Sequence, residues 1–218
     1  KAITKVMVEE AGGISQADAV LIYHQRYAKD PYGELLGITS YFNDTYPLFV
    51  KPANAGSSVG ISKVKNAEEL PKALETAFAE DDKVLVEEAI TGREIEVAVL
   101  GNEEPEASCI GEIFAANEFY DYNAKYENDA SKTAVVTDLD PKKEQEIKDT
   151  AVKIYRIMGC RGLARVDFFL KDSGRVVFNE INTLPGFTNI SMYPQLWEAS
   201  GIPYPDLIDR LIELALEQ

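Results

Sequence analysis

The sequence predicts an α+β fold, and three observations carry that expectation. Helical and strand patterns mix irregularly, without the steady βαβ alternation of a doubly wound sheet. Two apolar runs, LARVDFFL from Leu163 to Leu170 and RVVFNEIN from Arg175 to Asn182, flank a four-residue turn and read as a hairpin. A long helix is expected from Pro141 to Met158, ending at Gly159.

The other elements follow in chain order. Residues 1–11 read as a helix stopped by the Gly12-Gly13 pair, and Ala19 to Tyr23 as a short strand. Asp30 before Pro31 puts a capping side chain and a preset first-turn residue in the order that starts a helix. Leu48 to Lys51 is a strand, Asn54 to Gly60 (NAGSSVG) a small-residue loop, and Ile61 to Val64 a returning strand. Asn66 with Glu69 three residues later suggests a capping box that opens a helix to about Ala79. Strands are expected at Lys83–Glu88, Glu94–Leu100 and Ser108–Ile113. The Thr91-Gly92 break between the first two divides the chain into two expected lobes, 1–92 and 93–218. Residues 114–138 are polar and aromatic with no period, which reads as a long loop of the kind that serves a functional site. A loop after the hairpin leads to helices near Tyr193–Ala199 and Pro205–Glu217.

Composition narrows the function. Apolar residues at 45% and charged residues at 27% fit a globular chain, and no run approaches the ~20 apolar residues of a membrane span. A formal charge of −15 argues against a nucleic-acid partner, while leaving room for a small, locally positive phosphate pocket. Cys109 and Cys160 make no disulfide framework and read as reduced cysteines of a cytoplasmic protein. With His24 the single histidine, any metal must be held by oxygen ligands, which points to Mg²⁺ or Mn²⁺.

Five segments carry candidate chemistry. If Ser173-Gly174 is a two-residue turn, the hairpin register sets Asp167 opposite Glu180 and Arg165 opposite Asn182, on one face. Val166, Phe168, Val177 and Ile181 then point into the core. Opposed carboxylates repel unless a cation lies between them, so the pair reads as a divalent-metal site against the alternative of a solvated charged face. In PLFVKPANAGSSVG (47–60), a lysine ending a buried strand before a Gly/Ser loop suits phosphate, although the segment lacks the Walker spacing and also fits a flexible turn. VLVEEAITGRE (84–94) is either a strand leaving the core or a hinge that receives adenine, with Glu94 accepting from ribose hydroxyls. FYDYNAKY (119–126) either packs a loop down or supplies Lys125 and Tyr126 to a lid over phosphates. Leu184-Pro185-Gly186-Phe187-Thr188 is a turn whose glycine N–H faces an oxyanion in the functional reading.

Together VKPANAGSSVGISKV, GREIEVAVLG, FYDYNAKY, ARVDFFL and FNEINTLPGFTNISMYPQLWEASGI resemble the D-alanine–D-alanine ligase family of the ATP-grasp superfamily, over essentially the whole chain. The resemblance implies two α+β lobes gripping ATP between them, and a further N-terminal domain preceding Lys1. It implies that Lys1 and Lys51 bind phosphates beneath Ser57 and Ser58. Glu87, Ala89 and Ile90 would form the adenine hinge, Glu94 would bind ribose, and Lys125 with Tyr126 would close the site. Asp167, Glu180 and Asn182 would hold two Mg²⁺ ions. Arg165 and Gly186 would stabilise the tetrahedral intermediate, and Ser191 and Met192 would receive the second D-alanine. Ser57, Tyr126, Arg165 and Gly186 would thus lie nearest the chemistry. Glu88 stands where the family often has a basic residue. The implied substrates are ATP and D-alanine, and the intact protein is expected to be a homodimer. A D-alanine–D-serine ligase fits the same motifs, and a D-alanine–D-lactate ligase fits less well because the Lys-Tyr pair is kept. A nucleotide-binding fragment without turnover is the reading from a different class.

Overall fold

The computed structural model describes residues 1–56, 58–114, 132–188 and 190–217. These divide into two compact units. The first contains residues 1–3 and 17–90; the second contains 4–16, 91–114 and 132–217. Of the expected first lobe, 1–92, residues 4–16 and 91–92 thus fall in the second unit. Val8 of helix α1 (Ala2–Ala11) is buried in the second unit's core with Ile95 and Tyr155. Ser15 also accepts a backbone bond from Phe178, at 2.8 Å. No local pattern in residues 4–16 announces which distant strand they join.

The first unit is a four-stranded antiparallel sheet in the order β1-β4-β2-β3. Its strands are β1 (Ala19–Tyr23), β2 (Leu48–Pro52), β3 (Ser62–Val64) and β4 (Lys83–Glu88). Leu48, Val50, Val84 and Val86 alternate onto one face and pack with Ile38 of α3 (Pro31–Tyr41) and with Leu70, Leu74 and Ala77 of α4 (Leu70–Phe78). Each aliphatic side chain buried this way contributes roughly 1.5–3 kcal/mol of transfer free energy. Asp30 caps α3 as expected, its carboxylate accepting from the Gly33 N–H at 2.9 Å. Helix α2 (His24–Lys29) was not anticipated; it is six residues long and buries none of them, so it has no periodicity to read.

The capping box expected at Asn66 does not form. Glu69 accepts from the Lys65 N–H at 2.8 Å, and the Asn66 amide donates to Glu69 at 3.3 Å. A 3₁₀ turn (Ala67–Glu69) intervenes, and α4 starts with Pro71 in its first turn, where a preset φ serves instead of a side-chain cap.

The second unit is a five-stranded antiparallel sheet in the order β7-β6-β5-β8-β9. Its strands are β5 (Arg93–Gly101), β6 (Glu106–Phe114), β7 (Lys132–Val135), β8 (Gly162–Leu170) and β9 (Val176–Asn182). β7 lies within the loop expected at 114–138. It is a four-residue edge strand whose Ala134 and Val135 are exposed, so burial imposes no alternation on its sequence.

Ile95, Val97, Val99, Val166 and Phe168 cover one face of this sheet and pack on Ile147, Ala151 and Ile154 of α5 (Pro141–Ile157). On the other face Ala98 and Leu100 pack on α6 (Met192–Ala199) and on Leu207 of α7 (Tyr204–Leu216). Gly111 lets α6 approach this closely, because an added Cβ would lie 2.3 Å from the Met192 Cε and 2.9 Å from a Leu196 methyl. Gly111→Ala should therefore destabilise the protein by about 1–3 kcal/mol in urea unfolding, as overpacking does. An unchanged midpoint would show that α6 does not seat on β6 in this way.

Among the described residues no helix is long and apolar enough to cross a membrane.

Candidate functional site

In the first unit, the strand alternation that buries Leu48 and Val50 turns Phe49 and Lys51 to the opposite face of the sheet. Lys51 and Glu87 meet there as an ion pair, both side chains less than a tenth exposed. A buried pair of this kind gains little stability over apolar residues of similar size. Glu87, expected on the adenine hinge, thus pairs one carboxylate oxygen with Lys51.

Beyond β2 the small-residue loop is held from both sides. The Asn54 N–H and amide each donate to Asp81 at 2.8 Å, and the Lys1 ammonium donates to the Ala55 carbonyl at 2.7 Å. Gly60 closes the loop with φ +71°, where a Cβ would also press on Pro52 and Glu80. Ser58 also has a positive φ of 59°. Lys1, Lys51 and Ser58 are placed on this one unit, whereas Ser57 lies outside the described residues.

The residues of the expected hinge make backbone bonds to their neighbours. The Ala89 N–H donates to Pro47 at 3.2 Å and the Glu88 N–H to Asp18 at 3.0 Å. The Glu88 carboxylate accepts from the N–H of Asp18, the residue before β1. Ile90 ends the first unit.

In the second unit the expected register holds at the functional end of the hairpin, by a different route. The turn leaves Lys171 opposite Arg175, with Gly174 at φ +80°, so the pairing starts one residue out of step. Phe178 then opposes Phe168, and Phe178 with Val176 takes the core face expected for Val177. A bulge at Asn179 restores the step, setting Asp167 opposite Glu180 and Arg165 opposite Asn182.

That face carries a charged cluster. The Arg165 Nε and Nη2 donate to the two Asp167 oxygens, both at 2.8 Å, and the Asn182 amide donates to Asp167 at 3.0 Å. Sequence reading missed Glu96, which is only 4% exposed, opposes Asp167 across β5–β8, and lies 3.1 Å from Arg165 Nη2. Its signal was present: Glu96 lies two residues from Glu94 on a strand, hence on the same face. The pairing of β5 with β8, however, is long-range and unmarked. Burial by itself would lower the Arg165 pKa, but Asp167, then Glu96 and Glu180 outweigh it, and the net shift is upward. The guanidinium stays charged.

The donors suit a hard divalent cation by type and by adjacency. They are not yet a cage: among the described residues no three acidic, His or Cys side chains are arranged to hold a metal. Arg165 occupies the position beside Asp167 that a cation would share.

Gly186, Ser191 and Met192 gather at the start of α6. Ser191 is the residue before the helix, and its hydroxyl accepts from the Thr188 N–H at 3.0 Å. A Cβ on Gly186 would come within 3.0 Å of that hydroxyl. The Met192 side chain is buried in the core, which leaves its first-turn N–H as the group it can offer an anion. Lys125 and Tyr126 lie outside the described residues.

A family model described as the D-ala D-ala ligase C-terminus matches residues 7–213. A D-alanine–D-alanine ligase from Acetivibrio thermocellus is 52% identical in a match covering 100% of this chain and 57% of that protein. The solved D-alanine-D-alanine ligase of Coxiella burnetii superposes with a TM-score of 0.83 at 41% identity, over 99% of this chain and 56% of that one. The VanG D-Ala:D-Ser ligase of Enterococcus faecalis gives 0.83 at 38% identity, over 99% and 61%. The chain spans little more than half the length of these relatives.

Proposed function

The chain belongs to the D-alanine–D-alanine ligase family, and we propose that it carries the ATP-binding and catalytic residues of an enzyme that joins two D-alanines for peptidoglycan precursor synthesis. Its α+β architecture is the ATP-grasp fold. The observation that supports the reading most is Arg165, half-buried beside Glu96 and Asp167 on the face that Glu180 and Asn182 share. A permanently charged guanidinium among hard oxygen donors suits a reaction in which negative charge builds on phosphoryl and acyl oxygens.

In the first step a carboxylate oxygen of one D-alanine attacks the γ-phosphorus of ATP, and ADP leaves. In the second, the amine of the other D-alanine attacks the acyl carbon of the resulting acyl phosphate. Inorganic phosphate departs and the amine gives up a proton. Lys1 and Lys51 neutralise the phosphates, Ser58 donates to them, and Glu94 binds the ribose, with Ser57 assigned to the phosphates by the resemblance alone. Asp167, Glu180 and Asn182 would hold Mg²⁺, which would supply further charge neutralisation there. Arg165 and the Gly186 N–H face the tetrahedral intermediate, while Ser191 and the Met192 N–H orient the second amino acid. Lys125 and Tyr126, outside the described residues, are assigned to phosphate binding by the resemblance alone. The intact protein is a cytoplasmic homodimer in this reading.

D-alanine labelled with ¹⁸O in its carboxylate tests the chemistry in the full-length protein. One labelled oxygen per turnover should appear in inorganic phosphate; unlabelled phosphate would rule out the acyl phosphate. The equal TM-scores to a D-Ala:D-Ser ligase keep D-serine as the alternative second substrate, which competition between the two amino acids decides.

A further inference from the structure

We infer that Glu96 is the alternate counter-ion of Arg165: it takes the guanidinium when a divalent cation takes Asp167, and so positions Arg165 for the acyl transfer. The inference rests on the ligase reading and concerns a residue to which that reading gives no role.

Two cross-strand rows carry the argument. Gly111, Glu96, Asp167 and Glu180 oppose one another in sequence across β6, β5, β8 and β9. In the adjoining row Ala98 and Asn182 flank Arg165. Asp167 gives both of its oxygens to Arg165, so a cation that bound Asp167 with the guanidinium still in place would meet a like charge at contact distance. Arg165 must therefore be able to yield, and because its side chain is only 20% exposed, an anion already beside it offsets the cost of leaving Asp167.

Glu96 answers that description, with its Oε1 already 3.1 Å from Nη2 and its side chain about as buried as any charged group on this face. Ala98, opposite Arg165, is a methyl group where a larger side chain would block the pivot. The cluster thus holds one guanidinium between two partners. A metal at the Asp167–Glu180 side selects which of them it uses.

Binding of Mn²⁺ to the full-length protein with ADP present, measured by electron paramagnetic resonance, tests this without turnover. Glu96→Gln should weaken Mn²⁺ about tenfold, as loss of a partner behind a metal ligand does, and Glu96→Asp should restore it in part. In an Arg165→Met background the same Glu96→Gln change should alter Mn²⁺ affinity by no more than about twofold, because Glu96 acts through Arg165. A tenfold loss that persists without Arg165 would make Glu96 a direct electrostatic contributor and overturn the proposal, as would no loss in the parent.

A metal-free melting series on Asp167→Asn, Glu96→Gln and the double variant gives a second check that does not need Arg165→Met to fold. The double variant should lose more than the two single shifts together, since each acid stands in for the other; additive shifts contradict the exchange. Failure of D-alanine-dependent ADP release would leave both readouts intact, so this inference and the ligase reading fail separately.

Discussion

Glu180→Gln should lower Mg²⁺-dependent ADP release by roughly 10²–10³-fold, the several kcal/mol that a divalent ion supplies at a transferring phosphoryl group. It should do so without weakening the fold. Glu180 is one of three carboxylates whose charge acts on the single guanidinium of Arg165, together with Asp167 and Glu96. Neutralising it removes repulsion in the metal-free protein, so the melting temperature should stay level or rise. Loss of activity with gain of stability is the expected mark of a residue kept for a ligand rather than for packing. Retained turnover at saturating Mg²⁺ would remove Glu180 from the metal site, and a marked fall in melting temperature would make it structural.

Arg165→Met should have the largest effect on stability. Methionine keeps most of the aliphatic contact, so the variant isolates the charge. Asp167 and Glu96 then face each other with Glu180 nearby and no cation among them. Breaking a buried ion pair from one side typically costs 3–5 kcal/mol; the Arg165 side chain is 20% exposed, so the lower end, about 3 kcal/mol, is expected here. The deficit should shrink in acid, because protonated carboxyls do not repel one another. Millimolar Mg²⁺ should recover part of it, because the ion can occupy the vacated position. Dipeptide formation should be lost even where Mg²⁺ restores the fold, while nucleotide affinity falls much less. Denaturant melts with and without Mg²⁺ at two pH values check all of this. A pH-independent loss that Mg²⁺ does not touch would mean that Arg165 serves packing alone.

Much of this was legible in the sequence where the signal is local. Asp30 before Pro31 gave the start of α3, and the Gly12-Gly13 pair gave the end of α1, because caps and glycine stops act within a turn. The hairpin register was right at Asp167–Glu180 through compensation: the turn is one residue longer than expected, and the Asn179 bulge cancels the difference. Turn length and bulge are both set by how the strands twist in the sheet, which residues 171–174 alone do not reveal. Glu96 was missed because its meaning depends on β8 lying beside β5, some seventy residues away in sequence. Residues 4–16 were misplaced for the same reason: a buried Val8 looks alike in either unit. The Arg93 side chain, which bridges Glu112 and Asp138, was likewise invisible until three segments came together, and it holds the Asp138 carboxyl below its usual range.

The most direct test of the central claim is ADP release by the full-length protein in Mg-ATP, with and without D-alanine, and by residues 1–218 in parallel. The account predicts that D-alanine stimulates release by the full-length protein many-fold and that the dipeptide accumulates in step with ADP. Stimulation in residues 1–218 as well would show that the catalytic residues described above suffice on their own. ADP release that ignores D-alanine in the full-length protein would contradict the assignment and leave a nucleotide-binding protein of some other purpose.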